Sequence, residues 1–124
     1  MVEVNEGIKK IIENNAMGLA TIDEEGNPHN IAIGFVKVVS RDELLLTDNY
    51  LNETIDNIKR NKNVALVVWV RNWEENCVGY EFKGIAEYFI EGKWIDFIKR
   101  IPINEGEPCE GAILIKINHI KVLS

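Results

Sequence analysis

The amino-acid sequence predicts a mainly β domain with a few short helices, in which six antiparallel strands close or nearly close into a barrel. Six segments are rich in β-branched and aromatic residues and are separated by turn-forming residues. Most of the connections are shorter than the crossover of about a dozen residues that a parallel pair needs, so the strands are expected to pair antiparallel. With this many strands, closing the sheet removes its exposed edges.

The first elements are a helix and a hairpin. "VEVNEGIKKIIENN" places Ile8, Ile11 and Ile12 at the i, i+3, i+4 spacing of one helical face. "MGLATIDEEGNPHNIAIGFVKVV" has two apolar runs around the turn formers "DEEGNP", which predicts two strands joined as a β-hairpin. The turn "SRDE" then leads to a third strand, "LLLT".

The later elements alternate between helices and strands. A helix with Ile55 and Ile58 on one side precedes the fourth strand, "NVALVVWVR", and "NWEEN" separates this strand from a long fifth one, "CVGYEFKGIAEYFI". The last helix lies in "EGKWIDFIKRIP" and is stopped by Pro102, with four side chains expected to face inward: Trp94, Phe97, Ile98 and Ile101. After the loop "INEGEPCEG", the segment "AILIKINHIKVL" forms the closing strand.

The composition is that of one ordinary globular domain, spanning residues 1–124. The chain is 46% hydrophobic, enough for a core without staples. Its net charge of −6 argues against nucleic-acid binding, which normally requires a basic stripe. The longest apolar run, "VALVVWV", is far shorter than the ~20 residues of a membrane helix. The early polar residues Glu3, Asn5 and Glu6 do not read as a signal peptide, so we expect a cytoplasmic protein.

Two strands have apolar residues on both faces. "NVALVVWV" is apolar throughout, and "IAIGFVKVV" is nearly so. An antiparallel strand with one wet face should alternate between apolar and polar residues. The second face must therefore meet a helix or another subunit. Because the helices are few and short, we expect a homodimer.

The residues that most often bind metal ions or act in catalysis are isolated in the sequence. Cys77 and Cys109 form no CxxC pair, and the two histidines, His29 and His119, have no nucleophile or carboxylate beside them. A structural zinc site needs four clustered ligands, and a triad needs partners in reach. The chain has no G-x-G-x-x-G, P-loop or H-E-x-x-H motif. We therefore expect no metal site and assign no catalytic residue.

A cluster of small polar residues joins the third strand to the second helix: Thr47, Asp48, Asn49, Asn52 and Thr54. The first turn of a helix presents unpaired N–H groups and the positive end of its dipole, so added hydroxyls and amides can make an anion site. Alternatively, Asn52 is an N-cap and the other residues solvate a turn. The spacing, together with the acidic residues Asp48 and Glu53, favours this simpler interpretation.

The segment "GYEFKG" has Tyr80 and Phe82 on one face, between Gly79 and Gly84. Glycines within a strand mark a close approach of a flat ligand or of another backbone. A core strand with a bulge explains the pattern equally well. The residues alone leave both possibilities open.

Three segments, taken in order, carry a resemblance to a known family: "GLATIDEEGNPHNIAIGFVKV", "LLLTDNYLNETIDNIKRNKNVALVVW" and "GYEFKGIAEYF". They resemble the small stand-alone form of the pyridoxamine 5′-phosphate oxidase-like, FMN-binding split-barrel proteins. The resemblance runs from about residue 18 to residue 89. Its most specific part is the strand, the polar cluster, "N-x-T" and the helix ending in "N-I-x-x-N-x-x-V-A-L".

The resemblance implies a six-stranded Greek-key split barrel that forms a homodimer with two flavins in the subunit interface. It implies that the second strand of the hairpin runs along the isoalloxazine ring, partly through backbone groups, at Asn30, Ile31, Ala32 and Ile33. It also implies that the phosphate and ribityl chain are bound by Thr47, Asn49, Asn52 and Thr54. Gly79 and Tyr80 are implied to line the flavin. On this interpretation the polar cluster is a phosphate cradle.

Three departures separate this chain from the pyridoxamine phosphate oxidase itself. Glu53 stands where family members often have a basic residue, and Asn52 stands where the oxidase has another. The chain ends in "KVLS", whereas the oxidase has an Arg-containing tail that helps to hold its substrate. We therefore expect a different activity, as a small flavin oxidoreductase or electron carrier with an unknown redox partner. The alternative is a non-enzymatic module on the same barrel that holds a deazaflavin coenzyme, haem or no ligand.

Overall fold

The computed structural model describes residues 2–49, 51–70, 72, 74–101 and 110–123. Ten elements follow one another within them: α1 (Glu6–Asn14), β1 (Met17–Ile22), β2 (Pro28–Ile33), β3 (Val36–Ser40), β4 (Glu43–Asp48), α2 (Asn52–Arg60), β5 (Asn63–Trp69), β6 (Gly79–Phe89), α3 (Lys93–Lys99) and β7 (Gly111–Leu123). The mainly β fold class is confirmed. No helix among these elements has the length and apolar character needed to cross a membrane.

The strands form one antiparallel sheet in the order β2-β1-β5-β6-β7-β4-β3. The sheet has seven strands rather than the expected six, because the apolar run "IAIGFVKVV" is interrupted at Gly34 and Phe35. Its first part pairs with β1 and its second part pairs with β4. The two ends of the strand order are therefore joined by two residues. We call this junction, Gly34–Phe35, the seam of the split barrel.

The barrel interior is filled by alternate side chains of the paired strands. Leu19 of β1 is opposite Leu66 of β5, which is opposite Phe82 of β6, and all three are almost completely buried. Burying one such side chain contributes about 1.5–3 kcal/mol. Helix α1 adds Ile8 and Ile12 to the same core.

A smaller core lies between α3 and the sheet. It consists of Leu45, Ile95, Ile98 and Ala112. The expected inward face of α3 is confirmed for Ile98, which is buried, and for Trp94 and Phe97, which are half-buried against this core. The expectation missed Ile95, which is buried, and Ile101 is half-buried beyond the end of the helix. Helix α3 ends at Lys99, and Pro102 lies outside the described residues.

The structure assigns one of the strand glycines a structural role. The register of β6 against β7 shifts between Lys83 and Gly84. A Cβ atom at Gly84 would lie against the carbonyl oxygen of Lys116, well inside van der Waals contact. Gly84 therefore permits the close approach of another backbone at a bulge, as the core-strand interpretation predicts.

Candidate functional site

Asp48 organises the polar cluster between β4 and α2. Its side chain is 1% exposed. One carboxylate oxygen, Oδ1, accepts a 2.8 Å hydrogen bond from the N–H of Leu51, and Oδ2 accepts a 2.7 Å bond from the hydroxyl of Tyr88. The N–H of Glu110 also donates to the backbone carbonyl of Asp48, at 3.0 Å. Asp48 thus ties the start of α2 to β6 and to the start of β7.

Helix α2 begins without a side-chain cap. Leu51 is the N-cap residue and makes no side-chain cap bond, so the interpretation of Asn52 as the N-cap is wrong. The helix starts at Asn52 itself, and Asp48, four residues earlier, accepts from the N–H of the cap residue Leu51. The first bond at the helix start runs from the N–H of Ile55 to the carbonyl of Leu51, at 2.9 Å. The N–H groups of residues 52–54 therefore belong to the unpaired first turn of an α-helix.

The four polar residues expected at the phosphate differ in exposure. Asn49 and Asn52 are exposed. Thr54 is 1% exposed, on the inward face of α2. Thr47 pairs with Ala112 of β7 and shares a strand face with Leu45, which packs under α3. The structure therefore places the Thr47 hydroxyl on the opposite face of β4 from Asp48.

The Thr47 hydroxyl also lacks a hydrogen-bond partner. Oγ1 of Thr47 is buried and has no hydrogen-bond partner among the described residues. The residue is only 8% exposed. A buried polar group without a partner costs about 1–3 kcal/mol. A ligand, a water molecule or a second chain that reaches this hydroxyl would remove that cost.

Strand β2 presents two different faces. Ile31 and Ile33 are in register with Leu19 and Met17 and point toward the core, so only their backbone groups can meet a ligand. Asn30 and Ala32 are exposed on the other face. That face continues across β1 and β5 as a mostly small and apolar surface, which we call the outer platform: Gly18, Ala20, Asn30, Ala32, Ala65 and Val67.

A contact between His29 and Glu53 joins the outer strand to the helix start. Nδ1 of His29 lies 3.1 Å from Oε2 of Glu53. His29 precedes Asn30, so the contact brings the start of β2 to the first turn of α2. Sequence reasoning missed it because the two residues are far apart in the chain. The pair can be recognised only when the packing of α2 against the β1–β2 hairpin is known.

The surface beside this contact is acidic. A groove of about 290 Å³ is lined by Glu53, by Asn57 and by five further charged residues: Asp23, Glu24, Glu25, Asp56 and Arg60. Arg60 donates to Oδ1 of Asn57 at 2.8 Å, and Asn57 donates to the Thr21 hydroxyl at 3.0 Å. Carboxylates therefore outnumber cations on this side of the helix start, which raises the energy of any nearby anion.

Within one chain, Gly79 and Tyr80 do not lie beside the β2 residues that are expected to line the flavin. Ile33, Met17, Val68 and Tyr80 lie opposite one another on four adjacent strands. Three strand spacings of about 4.8 Å separate β2 from β6, a distance of roughly 14 Å. The Tyr80 ring instead stacks on that of Phe82, with centroids 6.3 Å apart.

The site offers FMN a mostly apolar surface and hydrogen-bond donors, beside the acidic groove. The outer platform consists mostly of small side chains, and β2 pairs with β1 alone among the described strands, so its second edge keeps free N–H and C=O groups. The first-turn N–H groups of α2 and the amides of Asn49 and Asn52 suit a phosphate. No group of three or more potential metal ligands occurs in the described part of the chain.

Comparison with protein families gives the same family over most of the chain. A family model described as pyridoxamine 5′-phosphate oxidase matches residues 4–121. The protein MJ0282 of Methanocaldococcus jannaschii is 31% identical over 126 aligned positions, which cover 97% of this chain and 80% of that protein.

Solved structures share the fold. HupZ from Group A Streptococcus has a TM-score of 0.86 at 22% identity and covers 95% of this chain and 92% of its own. An FMN-binding protein from Syntrophomonas wolfei has a TM-score of 0.78 at 16% identity, with coverage of 99% and 84%. The heme storage protein HutZ from Vibrio cholerae has a TM-score of 0.69 at 17% identity, with coverage of 98% and 95%. Proteins of this fold thus hold different cofactors. The sequence match and the split barrel together show that the chain belongs to the pyridoxamine 5′-phosphate oxidase family.

Proposed function

We propose that this protein is a homodimeric FMN-binding protein that acts as a small flavin oxidoreductase or electron carrier. The observation that carries the proposal is the free edge of β2, which runs beside the outer platform and meets the start of α2 through His29 and Glu53. FMN supplies the redox chemistry when it is bound. The chain supplies position, hydrogen bonds and the exclusion of water.

A second copy of the chain would complete the site. The outer platform is mostly apolar and is half-buried or exposed in a single chain, and Gly79 and Tyr80 lie too far from β2 to line the same ligand. A partner packed on the platform would cover it and could bring its own β6 to the flavin. An obligate interface of this kind buries more than about 2,000 Å².

The proposal is tested with the purified protein. We expect a yellow preparation with absorption bands near those of free flavin, release of FMN identified by mass, and a mass in light scattering of twice the 14.2 kDa chain. A mass equal to one chain at micromolar concentration would remove both the dimer and the interfacial site. Absence of FMN after incubation with excess cofactor would remove the FMN assignment.

A second candidate is a non-enzymatic cofactor-binding module that holds haem or a deazaflavin coenzyme. The acidic surface beside α2 counts against the FMN assignment, because a phosphate dianion is poorly compensated there. The likeness to a heme storage protein supports the same alternative at the level of the fold. A Soret band in place of flavin bands would favour haem, and mass spectrometry of the released cofactor would identify a deazaflavin.

Glu53 offers a direct test of the phosphate position. Its carboxylate is 70% exposed, in the first turn of α2. Replacing it with glutamine removes one negative charge, and replacing it with lysine adds a positive one. Because exposed charges are screened, we expect a graded tightening of FMN binding, with Glu53→Lys about three- to ten-fold tighter than the parent at low salt. The apo variant should melt slightly lower, because lysine opposes the helix dipole.

The controls separate the phosphate from the rest of the flavin. Riboflavin lacks the phosphate and should bind the parent and Glu53→Lys equally in fluorescence-quenching titrations. Glu91→Lys makes the same charge change at an exposed position before α3 and should leave FMN affinity within about two-fold. Weaker FMN binding by Glu53→Lys would contradict a phosphate at this helix start.

A further inference from the structure

His29 lies on the inner face of β2, beside the start of α2. Because side chains alternate along a strand, His29 shares this face with Ile31 and Ile33, which pack against the core. It is opposite Thr21 of β1, whose hydroxyl accepts from Asn57 of α2, and its own side chain is 23% exposed. The outer platform is on the other face of β2. The contacts of His29 are therefore made within one chain and do not depend on what covers that platform.

The first turn of α2 offers hydrogen-bond donors to an anion but is surrounded by negative charge. The groove beside it is lined by Glu53 and Asn57 and by charged residues of the β1–β2 turn and of α2: Asp23, Glu24, Glu25, Asp56 and Arg60. The turn leads into β2 just before His29, and α2 contacts His29 through Glu53. Five carboxylates thus stand against one guanidinium group, which raises the energy of a phosphate at the helix start. A phosphate site here needs a further positive charge.

His29 is able to supply that charge. Within the described residues, the ion pair that reaches the first turn of α2 is the one made by His29, whose Nδ1 atom lies 3.1 Å from Oε2 of Glu53. With a neutral imidazole the pair carries one negative charge, and with an imidazolium its net charge is zero. Histidine commonly changes its charge between pH 5 and 8. One proton therefore decides the charge of the pair beside the helix start.

We propose that His29 sets the strength and the pH dependence of FMN binding by compensating the charge of Glu53 beside the flavin phosphate. This role rests on the proposed FMN site at the start of α2. Protonation of His29 cancels the negative charge that would repel the phosphate. The affinity for FMN therefore rises as the pH falls through the titration of His29, and it is lost again as the pH rises through it. Riboflavin has no phosphate, so its affinity does not follow this titration. His29 is thus a specificity-determining residue that favours the phosphorylated flavin at lower pH.

The role of His29 is tested by fluorescence-quenching titrations of the full-length protein with FMN and with riboflavin, from about pH 6 to about pH 8.5 at low, constant ionic strength. A phosphate monoester has its own second pKa near 6. Each affinity is therefore divided by that of His29→Gln at the same pH, which removes the effect common to both proteins. Glutamine keeps a hydrogen-bond donor but is never charged. We expect this ratio for FMN to be about two- to five-fold larger at pH 6 than at pH 8.5. The ratio for riboflavin should stay constant.

His29→Lys separates the charge from the titration. Lysine stays positively charged over this pH range, so the variant should bind FMN about two- to five-fold more tightly than the parent at about pH 8.5, with riboflavin bound equally by both. This comparison also decides the proposal if His29→Gln does not fold. A contact that only holds α2 against the hairpin would instead change FMN and riboflavin affinity alike at every pH.

The outcomes distinguish the role of His29 from the FMN site itself. An FMN ratio that does not change with pH, a riboflavin ratio that changes equally, or His29→Lys that binds FMN no more tightly than the parent at pH 8.5 would each overturn the role of His29 alone. A parent protein that binds no FMN at any pH would overturn both the role of His29 and the proposed function.

Discussion

Replacing Asp48 with alanine is expected to lower the free energy of unfolding by about 3–5 kcal/mol, the range for breaking a buried, charged hydrogen-bond network. The substitution removes the acceptor of two bonds, from the N–H of Leu51 at 2.8 Å and from the hydroxyl of Tyr88 at 2.7 Å. Both bonds are charge-assisted, and Asp48 is 1% exposed, so water cannot easily replace it. Urea unfolding followed by circular dichroism, at one fixed protein concentration, measures the effect.

Two milder variants show which bond matters. Asp48→Asn keeps an acceptor for the N–H of Leu51, and its amide can donate to the Tyr88 oxygen, so the loss should be about 1–2 kcal/mol. Tyr88→Phe removes only the hydroxyl. The Asp48→Ala/Tyr88→Phe double mutant should lose less stability than the sum of the two single-mutant losses, because both substitutions remove the same hydrogen bond. An Asp48→Ala protein within about 1 kcal/mol of the parent would contradict the assigned role of Asp48.

Gly84→Ala is expected to destabilise the protein by about 2–5 kcal/mol, in the range of severe backbone strain and overpacking. The added methyl group would meet the carbonyl oxygen of Lys116 and, at 3.0 Å, the Cγ2 atom of Ile115. The first of these is backbone and cannot rotate away. Relief would require β6 and β7 to separate at their bulge, which weakens the longest strand pairing in the sheet.

Gly34→Ala is the matched control for this experiment. A Cβ atom at Gly34 would meet nothing within 4 Å, and its φ is not in the left-handed region. The same chemical change should therefore leave stability within about 1 kcal/mol of the parent, with a gain possible from the stiffer unfolded chain. If the two variants melt at the same temperature, steric crowding at position 84 does not destabilise the Gly84→Ala protein.

Local chemistry made parts of this structure predictable from sequence. The turn between β1 and β2 is one example, since Asp23 accepts from the N–H groups of Glu25 and Asn27, and Gly26 has a φ of 85°. All of these residues are neighbours in the chain. Turn chemistry of this kind depends on a few adjacent residues and can be predicted from them.

The missed features depend on contacts between distant segments. Asp48 and Tyr88 are separated by 40 residues, so the sequence places Asp48 in the polar cluster without predicting its bond to Tyr88. The break at Gly34 and Phe35 was also missed, because the apolar pattern continues across it. The chain bends there because its two halves have different partners, β1 and β4, and that choice is made only when the barrel closes.

The candidate site likewise has features that can be predicted from the sequence and features that depend on packing between distant segments. The exposed residues Asn30, Asn49 and Asn52 could be selected as candidates from the family resemblance. The His29–Glu53 contact and the inward position of Thr54 could not, because both depend on how α2 docks against the hairpin. Residue type indicates which groups are able to bind a ligand, whereas docking decides which of them can reach it.

The seam also governs how this sheet exchanges its amide hydrogens. Three peptide units link the Cα atoms of Ile33 and Val36, so these two ends of β2 and β3 cannot separate by more than about 11 Å. In an open sheet each edge strand frays independently, and its amides exchange at their own rate. Here the two outermost strands are sections of one short stretch of chain. We therefore expect β2 and β3 to exchange through one shared opening, although they stand at opposite ends of the strand order.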